Sequence, residues 1–143
     1  MVGPPAGEKA MIGLDTNVLV RYLAQDDRIQ SPIATRFLEG SLTMEEPGFV
    51  TTVVLAELVW IFESNYQLGR EQVANLLDGL LRANQLKFQD PDSAIRALRD
   101  FRTGKADYVD CLIQRLGSAA GCSQTMTFDR AASRIDGMQL LGT

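Results

Sequence analysis

The sequence predicts an α/β fold of three layers, α/β/α, built on a mostly parallel central sheet of four to five strands. Three observations carry this expectation. Short apolar runs suited to buried strands alternate with longer stretches of helical periodicity, the pattern of a parallel sheet covered on both faces. Two of these runs, one ending at Leu14 and the other spanning Thr125–Phe128, each stop at an acid, Asp15 and Asp129. At 143 residues and 45% hydrophobic composition, the chain suits one domain with its own core.

The elements follow in order. After the strand that ends at Asp15, a helix runs from Thr16 or Asn17 to Ala24; either side chain can accept hydrogen bonds from the first free amides. Ser31-Pro32 opens a second helix through Leu38, with proline in the first turn, where its missing amide does no harm. Gly40 ends it. Phe49-Val50 is a short strand, and Thr51 or Thr52 caps a helix over Val53–Phe62. That helix is apolar throughout except for Glu57. Asn65–Gly69 turns the chain into a helix over Arg70–Arg82, marked by Val73, Leu76, Leu77, Leu80 and Leu81. A strand at Leu86–Phe88 precedes a helix from Pro91 to about Phe101, which Gly104 breaks. The last long helix covers Lys105–Ala120, with Val109, Leu112, Ile113 and Leu116 as its apolar stripe. A strand over Thr125–Phe128, a helical turn at Arg130–Ser133 and a closing strand at Met138–Leu141 complete the domain.

Residues 1–10 lack the apolar core of a signal peptide and are expected to form a flexible extension, leaving residues 11–143 as a single domain. No apolar run approaches the ~18 residues of a membrane span. Two cysteines, Cys111 and Cys122, make neither a disulfide framework nor a zinc site; reduced thiols in a cytoplasmic protein are expected. The net charge is −4, from 18 acids and 14 bases, which argues against a broad basic surface. Eleven of the bases are arginine, the better fork for phosphate. The chain has no histidine, so histidine ligands and histidine triads are excluded. Acid–base or metal chemistry must use carboxylates, water or tyrosine.

The acids therefore carry the functional argument. Asp15 sits at the carboxyl end of a strand, where open α/β sheets place their chemistry. It could equally cap the following helix, although Thr16 and Asn17 can already do so. Glu57 in an apolar helix is costly unless paired, metal-bound, or favoured by the helix dipole. Asp107 and Asp110 lie one turn apart and face roughly the same way. Asp110 flanks the apolar stripe and is the better candidate at the core's edge, while Asp107 could be a first-turn residue serving the dipole. Gln114 shares that polar edge and could bond a water or a substrate. Asp129 could cap the turn at Arg130, and Thr127 could support a neighbouring carboxylate. If these acids converge, mutual repulsion should raise the pKa of at least one. A hard divalent cation, Mg²⁺ or Mn²⁺, takes oxygen ligands of this kind and can activate water for phosphodiester cleavage.

Leu14-Asp15-Thr16-Asn17-Val18-Leu19, Ala56-Glu57-Leu58, Asp110-Cys111-Leu112-Ile113 and Thr127-Phe128-Asp129, in this order, resemble the PIN-domain nucleases. They are most similar to the VapC-type toxins of bacterial toxin–antitoxin pairs. The resemblance covers nearly everything from Met11 onward. It implies a Mg²⁺- or Mn²⁺-dependent endoribonuclease with Asp15, Glu57, Asp110 and Asp129 as the catalytic, metal-binding acids. It also implies a homodimer and inhibition by a small antitoxin protein. Asp107 departs from the pattern and leaves the third ligand open, as an additional or alternative one. Asn17, Thr127 and Gln114 are expected to support the site.

Two rival readings are weaker. A haloacid-dehalogenase-type phosphatase needs a second Asp two residues after the first, where this chain has Asn17, and a lysine near the later acids, where only Lys105 is available. A catalytically silent PIN fold that merely binds RNA or an antitoxin would not need a complete acid set.

Overall fold

Strand β1 (Ile12–Gly13) is short: Leu14, its side chain buried in the core, still donates its amide to Phe49 O at 3.0 Å, and Asp15 then caps the helix that follows. In the computed structural model, which describes residues 10–142, β1 pairs in parallel with β2 (Gly48–Val50), and β2 pairs in parallel with β3 (Leu86–Phe88). Gly48 stands opposite both Ile12 and Leu86 in this register. A Cβ there would lie 2.7 Å from Leu14 Cδ1 and 2.9 Å from Leu42 Cδ1, so glycine lets β2 pack flat against the core. The expected N-terminal extension falls, apart from Ala10, outside the described residues.

Helices separate the strands as expected. They are α1 (Thr16–Ala24), α2 (Gln30–Arg36), α3 (Thr52–Ser64), α4 (Arg70–Leu81), α5 (Pro91–Thr103) and α6 (Tyr108–Ala119). The second helix does not stop before Gly40. It widens into a π turn over Phe37–Ser41, with Leu38 buried. Thr51 caps α3 by accepting from Val54 N at 3.2 Å. One apolar cluster, drawn from all six helices and including Leu19, Leu55, Leu58, Leu77, Ala97 and Phe101, forms the core.

The C-terminal strands stand apart in their hydrogen bonding. β4 (Thr125–Thr127) pairs in parallel with β5 (Met138–Leu140), forming a second two-stranded ladder. The five strands are thus parallel throughout but joined as three plus two. With two residues in the ladder, β1 offers little outward edge, and Ile12 and Met126 are both exposed.

The last long helix starts later than expected and buries a different stripe. Lys105 to Asp107 lead into it, and its buried face is Tyr108, Cys111 and Leu112 rather than a stripe including Ile113, which is exposed. Tyr108 explains the rotation. Its ring is fully buried against Phe101, and its hydroxyl donates to Ala94 O at 3.0 Å. Both cysteines are free, as expected; burial pushes the Cys111 thiol up to about 11. Among the described residues, no helix is long and apolar enough to cross a membrane.

Candidate active site

The candidate acids occupy equivalent local positions in two strand–turn–helix units. Asp15 follows β1 by two residues, and Asp129 follows β4 by two. Each also caps the turn after it: Asp15 Oδ1 accepts from Thr16 N at 2.8 Å, and Asp129 Oδ1 accepts from Ala132 N at 3.0 Å. Capping and a functional role are therefore not exclusive, since each cap uses one carboxylate oxygen. Thr127 supports the second unit, its Oγ1 accepting from Asp129 N at 3.0 Å.

Thr16 links the first unit to α3. Its side chain is buried, and its Oγ1 donates to Glu57 Oε1 at 2.9 Å. Asp15 and Glu57, both exposed, are thereby held by the backbone and side chain of one residue. Asn17 is exposed in the first turn of α1 and edges an apolar cavity of about 400 Å³ with Val18, Ile33 and Phe37.

The second group gathers at the start of α6. Burial, then the charge of Asp107, then that of Asp129 raise the Asp110 carboxyl above the usual range. The expected like-charge neighbourhood thus involves Asp110, Asp107 and Asp129. Asp107 stands at the N-cap position of α6 without making a side-chain cap bond, so it does not act as a helix cap. Glu63 belongs to this group too. Burial and then Asp107 raise its carboxyl, partly offset by Arg70. Glu57 and Glu63 are six residues apart, so α3 carries one acid of each group, about 9 Å apart along its axis.

Arg70 fixes the start of α6. Its guanidinium donates to the carbonyls of Phe101 (2.7 Å), Ala106 (2.9 Å), Gly104 (3.1 Å) and Lys105 (3.3 Å), and lies 4.1 Å from the Phe101 ring centre. The connection before Asp107 is thus clamped at successive carbonyls. Sequence reading missed three residues of this arrangement. Thr16 was legible only as a cap, Glu63 had no periodic or motif signal, and Arg70 looked like an ordinary helix start.

None of Asp15, Glu57, Asp107, Asp110 or Asp129 forms a salt bridge among the described residues. Arg70, whose charge acts on Glu63 in the second group, spends its guanidinium on backbone carbonyls rather than on a carboxylate. A set of carboxylates has the donor chemistry of a hard divalent cation. The acids stand as two groups, however. Among the described residues no three carboxylates or thiols are gathered at the spacing that would hold a metal ion.

Over residues 12–138 the chain matches the PIN domain family. The chain belongs to the PIN-domain family. It is also similar to the VapC ribonuclease of Aquifex aeolicus (strain VF5), at 23% identity over 122 residues, covering 85% of this chain and 90% of that protein. The three-layer α/β/α fold expected from the sequence is that of this PIN domain. The match runs through both acid groups, from before Asp15 to beyond Asp129.

Proposed function

We propose that this PIN domain is a metal-dependent endoribonuclease, hydrolysing RNA phosphodiester bonds, and the toxin of a type II toxin–antitoxin pair. The observation that carries the reading is the gathering of acids at two places: Asp15 and Glu57 joined through Thr16, and Asp110 close enough to Asp107 and Asp129 for their charges to raise its carboxyl. Likeness to a VapC ribonuclease supports the substrate class.

Asp15, Glu57, Asp110 and Asp129 would hold Mg²⁺ or Mn²⁺, with Asp107 as an additional or alternative ligand. Bound there, the cation supplies charge stabilisation to the phosphate and lowers the pKa of water. The chain's own residues do the rest. Thr16 keeps Glu57 oriented, and Arg70 fixes the connection that leads into Asp107 and Asp110. Water would attack phosphorus with a carboxylate taking up its proton, the bond to the leaving oxygen would break, and that oxygen would take a proton from solvent and leave as a hydroxyl.

The partners of this reading are an RNA substrate, a small antitoxin and a second copy of the chain, in the cytoplasm. Val53 and Trp60 support a protein partner: they share one face of α3 and are 66% and 64% exposed. Arg21 and Arg102 are poor phosphate ligands. Arg21 donates to Gln30 and sits near Asp26 and Asp27, and Arg102 donates to Ala74 O.

Purified protein incubated with single-stranded and structured RNA, with EDTA or with Mn²⁺, tests the reading. Cleavage with Mn²⁺, abolished by EDTA and by either Asp15→Asn or Asp110→Asn in folded protein, is the expected result. RNA bound but left whole under all conditions would point to the silent binding protein instead.

A further inference from the structure

A cavity of about 760 Å³ lies beside the acids without including them. It opens between the α5–α6 junction and the segment from Ala131 to Gly137, and its walls include Lys105, Gln114, Arg115 and Arg134. Its size falls within the range of small-molecule sites. Neither Asp107 nor Asp110 lines it, but Ala106 and Gln114, on either side of them in sequence, do.

Gln114 is the telling wall. It is 8% exposed, yet its amide forms no hydrogen bond with another described residue. Among the described residues no side-chain nitrogen or oxygen is sealed away without a partner, so this amide opens onto the cavity. Its place is built. Gly137 has φ +94°, and a Cβ there would come within 2.4 Å of Gln114 Nε2. Glycine thus serves both the backbone turn and the room for the amide. Arg115 is fixed by a bidentate pair with Asp100, at 2.7 and 2.9 Å. Lys105 and Arg134 have no salt-bridge partner among the described residues.

We propose that this cavity receives one nucleobase of a single-stranded RNA substrate, next to the nucleotide being cut. Gln114 reads the base edge, and Lys105 and Arg134 attract the adjoining phosphates. The proposal rests on the ribonuclease reading above. Gln114 lies four residues after Asp110, on the same side of α6 and about 6 Å along its axis. Neighbouring nucleotides of one strand can therefore occupy both places. A side-chain amide offers one donor and one acceptor direction, which adenine matches at two points, and unpaired RNA bases are commonly read along such edges. Asp100 spends its charge on Arg115, and Ile135 adds an apolar surface for a ring.

The test uses the full chain in EDTA, where RNA stays whole. AMP and short single-stranded RNAs differing at one position are titrated into wild type, Gln114→Met and Arg134→Gln, with melting curves to confirm folding. Wild type should prefer adenine at one position by on the order of tenfold, the discrimination of one two-point contact. Gln114→Met should flatten that preference, whereas Arg134→Gln should weaken all RNAs evenly. If RNA is bound, and cut once Mn²⁺ is added, with the same base profile in wild type and Gln114→Met, the cavity assignment falls and the ribonuclease reading stands. AMP binding lost in Gln114→Met, with no RNA bound by wild type, would make this a free-nucleotide site and overturn both. Binding of neither ligand would overturn the cavity assignment, while cleavage of the same RNAs on adding Mn²⁺ decides the ribonuclease reading separately.

Discussion

Thr16 joins two carboxylates that lie 42 positions apart in sequence: its amide donates to Asp15 Oδ1 at 2.8 Å, and its hydroxyl to Glu57 Oε1 at 2.9 Å. The turn after β1 and the middle of α3 are thereby registered by one buried side chain. Thr16→Val keeps the shape and removes the hydroxyl. Loss of one such bond costs about 1 kcal/mol, or a few degrees in Tm. RNA cleavage should fall much further, on the order of tenfold or more, and Thr16→Ser should restore it. Wild-type turnover by a folded Thr16→Val protein would show that Glu57 needs no anchoring.

Asp110 predicts a pH dependence of opposite sign to the usual paired carboxylate. Burial, Asp107 and Asp129 raise its pKa in the folded chain, so the folded state holds that proton more tightly than the unfolded state. Stability from this group is fully present below the ordinary carboxylate pKa. It is lost as pH rises from there through the raised value. In EDTA, Asp110→Asn should melt above wild type at pH 7, and the two curves should draw together near about pH 4. Equal melting temperatures across that interval would contradict the repulsion.

Arg70→Met should loosen the α5–α6 connection. It removes the donors to four carbonyls and the guanidinium over Phe101, for a cost of about 1–3 kcal/mol. Arg70→Lys should rescue little, because an ammonium cannot reproduce the planar fork. Activity measured well below the melting temperature should also drop, since Asp107 and Asp110 begin the helix that this clamp positions. Unchanged cleavage in Arg70→Met would separate the clamp from the site.

Trp60 and Val53 predict association. Light scattering of wild type at micromolar concentration should give a mass above that of one chain, or do so on adding a cognate antitoxin. Trp60→Glu should reduce it without unfolding the protein, because the indole is 64% exposed. A wild-type monomer under both conditions would contradict this use of the face.

Much of the fold was legible because its punctuation is local. Pro32, Pro91, Gly104 and the Asn65–Gly69 turn mark ends that any neighbouring structure would respect. The start of α6 was less legible. Lys105 to Asp107 are compatible with a helix in isolation, and only the burial of Tyr108 against Phe101 sets where the helix begins and which way it faces. The acids at strand ends could be read from apolar runs that stop at Asp. Their grouping could not. The Thr16–Glu57 bond, the approach of Glu63 to Asp107 and the Arg70 clamp all depend on packing between distant segments. Gln114 was visible as a polar residue near the site, but its burial depends on Gly137 leaving room for it.

The central claim is that acids of both groups take part in binding divalent cation, and thermal melting with Mn²⁺ tests it most directly. At a hundred times the dissociation constant a bound cation adds about 2.7 kcal/mol, or roughly 5–10 °C in Tm. Wild type should rise by that order between EDTA and saturating Mn²⁺. Asp15→Asn, from the first group, and Asp110→Asn, from the second, should each lose most of the rise. A wild-type melt indifferent to Mn²⁺, or a rise that survives in either variant, would contradict a shared site.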